Sequence, residues 1–115
     1  MKPRLDSYGF SSSVVERLRP VVQALQSHGM AEFRRVLARL TLDLCAEIQE
    51  GSVTPKAADD VFTLLDLYLG DQGVDLDSDV RNLLLEGMTL HHFGDPAGPT
   101  LSILREAAAR IGIGD

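Results

Sequence analysis

The 115-residue chain has little of several features that mark particular classes of protein. It has one cysteine, Cys45, which excludes a disulfide-bonded framework. No run of apolar residues approaches the roughly 20 residues that a membrane-spanning helix needs. Aromatic residues make up only 5% of the chain and tryptophan is absent. We therefore expect a core built from leucine, valine, isoleucine and alanine.

Motifs for cofactors and for export are also missing. The glycine-rich motifs GxGxxG and GxxxxGK[S/T] do not occur, so nucleotide binding by these routes is not supported, and we expect no cofactor. No apolar stretch of signal-peptide length follows the N-terminus. A single thiol needs no oxidising compartment. Together these features predict a cytoplasmic protein.

The charge is acidic and unevenly distributed along the chain. The formal net charge is −6, with +1 in residues 1–50 and −7 in residues 51–115. An acidic surface is repelled by phosphate backbones and by anionic lipid. We therefore expect no nucleic-acid partner and no membrane partner. A protein partner that is itself basic fits this charge better.

Apolar residues recur at helical spacing in five segments, and no segment alternates with the period of two that is typical of a strand. The pattern predicts an irregular segment over residues 1–12 and a single all-α domain over residues 13–115. This domain is expected to be a bundle of about five helices joined by short loops. The boundaries are marked by a capping box of Ser13 and Glu16, by Gly29, by Gly51, by Thr54-Pro55, by Asp77 or Ser78, by Gly94, and by Thr100.

Three helices in this pattern raise questions of packing. Pro20 interrupts the first helix, which either kinks there or begins only near Pro20. The third and fourth helices are apolar over more than a narrow stripe, so they are either central or form an oligomer interface. Gly87 inside the fourth helix suggests that a neighbouring backbone comes close.

Aspartates crowd the connection between the third and fourth helices. Asp75, Asp77, Asp79 and Glu86 match positions one, three, five and twelve of a calcium-binding loop. Val80, however, stands at position six, where the sharp turn of such a loop requires glycine. The favoured interpretation is a cluster of acidic residues that caps a helix N-terminus.

Histidines near the end of the fourth helix are the main candidates for chemistry. His91 and His92 are followed by Asp95, and Glu86 lies upstream. Adjacent residues on a helix diverge by about 100°, so the two imidazoles are poorly placed to share one metal ion. Packing of His91 and a helix-end position of His92 are the favoured interpretation.

Other reactive or charged residues have ordinary structural explanations. Cys45 lies beside an apolar face and is expected to be a small core residue, with Asp43 and Glu47 raising its pKa. Asp59 and Asp66 are expected on the solvated face of the third helix. A modest group of arginines is expected to pair with the acidic second half or with a second copy; it comprises Arg17, Arg19, Arg34, Arg35 and Arg39.

Because no set of residues in the sequence matches a catalytic site, the pattern favours a protein–protein interaction module rather than an enzyme. An inhibitor or immunity-type protein that binds a basic partner is the leading hypothesis. Its expected acidic face comprises Asp59, Asp66, Asp71, Asp75, Asp77 and Asp79. Two alternatives remain open: a small enzyme or metal-binding protein that uses His91, His92, Asp95 and Glu86, and a structural homodimer.

Overall fold

Five α-helices make up most of the computed structural model, which describes residues 4–90 and 99–113, without the side chain of Ile113. The helices are α1 (Ser12–His28), α2 (Met30–Glu50), α3 (Pro55–Asp71), α4 (Ser78–Met88) and α5 (Pro99–Ile113). A single turn of 3₁₀ helix, Leu5–Ser7, precedes them. No strand occurs in these residues, so the prediction of an all-α bundle of about five helices is confirmed.

The start of α1 differs from the predicted capping box. Ser11, rather than Ser13, caps the helix, because its hydroxyl accepts a hydrogen bond from the backbone N–H of Val14 at 3.4 Å. Glu16 instead accepts a hydrogen bond from Arg19. The helix also continues through Pro20, whose ring lies on the exposed side and so does not disturb the core.

Most of the other boundaries are those that the sequence predicts. Gly51 ends α2 in the left-handed conformation, with φ of 80°. Thr54 caps α3 by accepting from the N–H of Ala57 at 3.1 Å, and Pro55 takes the first helical position. The fourth helix ends earlier than predicted, and the predicted continuation through His91 to Gly94 lies outside the described residues. This helix ends at Met88, where the Thr89 hydroxyl donates to the carbonyl of Glu86 at 2.7 Å.

The main contacts between helices form a closed ring in the order α1, α2, α5, α4, α3 and back to α1, and a smaller contact joins α2 and α3 across it. Their inward faces form one core of buried apolar side chains. The largest fully buried ones include Phe33, Phe62, Leu18, Leu37, Leu44, Leu64, Leu65, Leu69, Leu83 and Leu84.

This ring explains the wide apolar surfaces of the third and fourth helices. Phe62, Leu65 and Leu69 of α3 are all buried within the chain. Among the large apolar residues of these two helices, Leu67 in α3 and Leu85 in α4 stay exposed, at 44% and 54%. Single exposed leucines are ordinary on a protein surface. The interior Gly87 meets the side chain of Phe62, so the expectation of a close neighbouring backbone is wrong.

Candidate functional site

The candidate site is the acidic segment, residues 66–79, which covers the end of α3, the connection to α4 and the first residues of α4. It contains five aspartates and no basic residue. Two hydrogen bonds from distant parts of the chain hold the connection. Tyr8 donates its hydroxyl to Asp71 at 2.6 Å, and Arg34 of α2 donates to Asp77 at 2.8 Å. The connection is therefore fixed to the body of the protein at both ends.

Asp77 serves two purposes at once. One carboxylate oxygen accepts the N–H of Val80 at 2.9 Å and so caps α4, as the favoured interpretation of the sequence predicts. The other oxygen accepts from Arg34. Because α4 begins at Ser78, residues 78–80 belong to the helix rather than to a calcium-binding loop. The negative charge of Asp77 is thus largely balanced by Arg34 and by the N-terminus of α4, within the chain.

Asp71 is partnered in a different way, by a neutral phenol. The hydrogen bond to Asp71 raises the pKa of Tyr8 to about 12, because it favours the protonated hydroxyl. Tyr8 therefore remains a donor at neutral pH and leaves the negative charge of Asp71 in place. The carboxylate of Asp71 is exposed to solvent.

Three further aspartates of the acidic segment have no ion-pair partner among the described residues. Asp66 and Asp75 are exposed, and Asp79 is half-buried in the first turn of α4. Asp79 also lies at the helix end where the dipole favours a negative charge. These three charges and that of Asp71 are available to an external partner.

Asp59 does not belong to this surface. Asp59 is only 6% exposed, and its carboxylate accepts a hydrogen bond from the hydroxyl of Thr63 at 2.9 Å. The prediction that it lies on the solvated face of the third helix is wrong, because neighbouring helices cover more of α3 than one apolar stripe. Asp60, one residue on, pairs instead with Lys56 at 2.7 Å.

The arginines of α1 and α2 pair mainly with acidic residues of the same two helices. Arg17 contacts Glu47, Arg19 contacts Glu16, and Arg35 contacts Glu32. Arg34 instead reaches the acidic second half, where it pairs with Asp77. Arg39 and Asp43 lie four residues apart on α2 and are both exposed, but these two described residues form no ion pair.

The histidine cluster cannot be assembled from the described part of the chain. His91, His92 and Asp95 lie outside the described residues, and Glu86 is half-buried in α4. Within residues 4–90 and 99–113, no group of three or more histidine, cysteine or acidic side chains is placed to hold a metal ion.

Cys45 is a core residue. Burial raises the pKa of its thiol, and the positive charge of Arg105 opposes this shift. The expected contribution of Asp43 and Glu47 is not the cause. The thiol lies 4.0 Å from the carbonyl oxygen of Leu101, to which it donates a weak hydrogen bond.

The sequence did not single out Tyr8 or predict which aspartate Arg34 contacts. Tyr8 lies in a segment without helical periodicity, and its partner is 63 residues away. Neither contact has a local signal, because both depend on how the helices pack.

Comparison of the chain with protein-family models, with curated proteins and with solved structures finds no match. Among the described helices, none combines the length and the apolar character needed to cross a membrane.

Proposed function

We propose that this chain is a protein–protein interaction module of the inhibitor or immunity type, and that its acidic segment binds a basic partner protein. The proposal rests on one observation: bonds from Tyr8 and Arg34 hold the two ends of an exposed, acidic connection. We place this activity in the cytoplasm, where the thiol of Cys45 stays reduced.

Preorganisation is the physical reason that this arrangement suits binding. A loop that is already ordered loses less conformational entropy when it meets a partner. The charges left for the partner are those of Asp66, Asp71, Asp75 and Asp79, since Asp59 is buried and Asp77 is paired. Like charges on one segment attract a basic surface from a distance and raise the association rate.

The proposal is tested with two variants of equal net charge. The first replaces three of the four available carboxylates of the acidic segment, as Asp66→Asn, Asp75→Asn and Asp79→Asn, and keeps Asp71 because it holds Tyr8. The matched control replaces three exposed carboxylates elsewhere, as Asp43→Asn, Glu50→Gln and Glu106→Gln. Glu50 is remote from the point where Arg34 of α2 contacts the acidic segment. It lies 16 residues along α2 from Arg34, which is about 24 Å at 1.5 Å per residue.

Each tagged protein is used to capture partners from a native lysate at low salt, and the association rate with the captured protein is then measured. We expect the first variant to associate about tenfold more slowly than the wild type, with the difference shrinking as salt rises. We expect the control to differ little. Equal rates for the two variants, or a captured partner that is acidic, would refute the proposal.

A further inference from the structure

A cleft of about 390 Å³ lies beside the 3₁₀ turn, and none of the aspartates of the acidic segment lines it. The N-terminal segment and α1 form most of its walls, and Tyr68 of α3 closes one side. This volume falls within the range of small-molecule sites, roughly 300–1,000 Å³. Its lining side chains include Arg4, Arg19, Val22, Gln23, Gln26 and Tyr68.

The charged side chains that line this cleft are both basic, although the carboxylates of Glu16 and Asp6 lie beside them just outside the lining. Two arginines line it and no carboxylate does, in a chain whose formal net charge is −6. Arg19 donates from Nε to Glu16 at 2.8 Å, which leaves both of its terminal amino groups without a hydrogen bond to described residues. Arg4 makes a loose contact with Asp6 at 3.7 Å, and its side chain is 81% exposed. Such an exposed pair is weak and is readily exchanged for a better partner.

Neutral donors complete the lining. Tyr68 is only 6% exposed, and its hydroxyl oxygen accepts a hydrogen bond from the amide of Gln26 at 3.1 Å. The O–H of Tyr68 therefore remains able to donate. The amide of Gln23 has no hydrogen bond to a described residue and is exposed. Val22 adds an apolar wall.

We propose that this cleft binds a small organic anion, either a carboxylate or a phosphate monoester. The charged group lies between Arg4 and Arg19, and the body of the ligand packs against Val22 and the ring of Tyr68. Guanidinium groups bind both anions through short, charge-assisted hydrogen bonds. The inference is independent of the proposed function, because it uses none of the acidic residues that would meet a protein partner.

The experiment is an NMR titration of the ¹⁵N-labelled protein with three probes of similar size. Phenyl phosphate and benzoate carry the two anionic groups, and benzyl alcohol is the neutral control. We expect saturable shifts of the side-chain amides of Gln23 and Gln26 with one or both anions, and none with benzyl alcohol. The tighter of the two anions identifies the ligand class.

Two substitutions locate the site. We expect Arg19→Gln to weaken binding at least about tenfold, the effect of losing a charge-assisted hydrogen bond. Arg110→Gln removes the same charge from an exposed position on α5 that does not line the cleft, and is expected to leave the affinity unchanged. Thermal unfolding of both variants verifies that they fold.

Tyr68→Phe keeps the packing of the ring but removes the donor, and we expect it to weaken binding several-fold. The proposal is overturned if neither anion gives saturable shifts at millimolar concentration, or if benzyl alcohol binds equally well. It is also overturned if Arg19→Gln and Arg110→Gln have the same affinity.

Discussion

The ring of Phe62 in α3 occupies the space in which a side chain at Gly87 of α4 would begin. A Cβ atom placed on Gly87 would lie 2.3 Å from Cγ of Phe62 and 2.4 Å from its Cδ2. Both residues are buried, and a Cβ atom essentially never approaches a non-bonded carbon atom so closely. Glycine at position 87 therefore allows the large ring of Phe62 to fill the core between α3 and α4, although glycine inside a helix costs about 1 kcal/mol relative to alanine.

Replacing this glycine tests that relationship. We expect Gly87→Ala to lower the free energy of unfolding by about 2 kcal/mol, because the cost of overpacking exceeds the gain in helix propensity. Urea unfolding followed by circular dichroism measures the change. Phe62→Leu in the Gly87→Ala background should cost less than Phe62→Leu alone, since the smaller side chain relieves the clash.

Gly70 provides the matched control in α3. It is also helical, but it is exposed, and a Cβ atom there meets nothing within 4 Å. We expect Gly70→Ala to raise the free energy of unfolding by roughly 0.5–1 kcal/mol. Similar effects of the two alanine substitutions would contradict the account of Phe62 and Gly87.

The hydrogen bond from Tyr8 to Asp71 predicts a dependence of stability on pH. The ordinary pKa of tyrosine is about 10, and that of Tyr8 in the folded protein is raised to about 12. The folded state thus holds this proton more tightly than the unfolded state. The contribution of the bond to stability is full below about pH 10 and is lost as the pH rises towards 12.

Tyr8→Phe isolates this contribution from the other groups that titrate at high pH. We expect the wild type to exceed the variant in free energy of unfolding by a constant amount between about pH 7 and 9. The difference should shrink above about pH 10. Urea unfolding across this range measures it. A difference that stays constant up to about pH 11.5 would be evidence against the bond.

Asp77 combines a helix cap with an ion pair, and two substitutions separate these roles. Asp77→Ser retains a capping oxygen but loses the charge that contacts Arg34. We expect it to cost at most about 1 kcal/mol, because the pair with Arg34 is partly exposed. Asp77→Ala also loses the cap and should cost about 1 kcal/mol more. Thermal unfolding of the two variants checks this order, and equal losses would rule out the capping role.

The thiol of Cys45 should react only when the core opens. It is buried, and its raised pKa leaves little of the reactive thiolate at neutral pH. We expect its reaction with Ellman's reagent to be on the order of 100-fold slower in the native protein than in denaturing urea. A native rate close to the denatured one would show that the thiol is accessible in the folded state.

Local sequence patterns predict only part of the candidate site. The cap at Asp77 was predictable, because a capping residue acts on an N–H three residues along the chain. The burial of Asp59 was not, because it depends on how much of α3 its neighbours cover. Tyr8 was missed as a partner of the acidic segment for the same reason, and the sequence did not predict which aspartate Arg34 contacts.

The sequence by itself determined the all-α class and most helix ends, such as the end of α2 at Gly51 and the start of α3 at Thr54 and Pro55. These features follow from the spacing of apolar residues along the chain and from hydrogen bonds between residues close in sequence. Tertiary structure alone decided the ring order of the helices, the contact of Phe62 with Gly87, and which aspartates remain exposed. Such features depend on packing between residues far apart in sequence, and many arrangements of five amphipathic helices share one pattern of apolar positions.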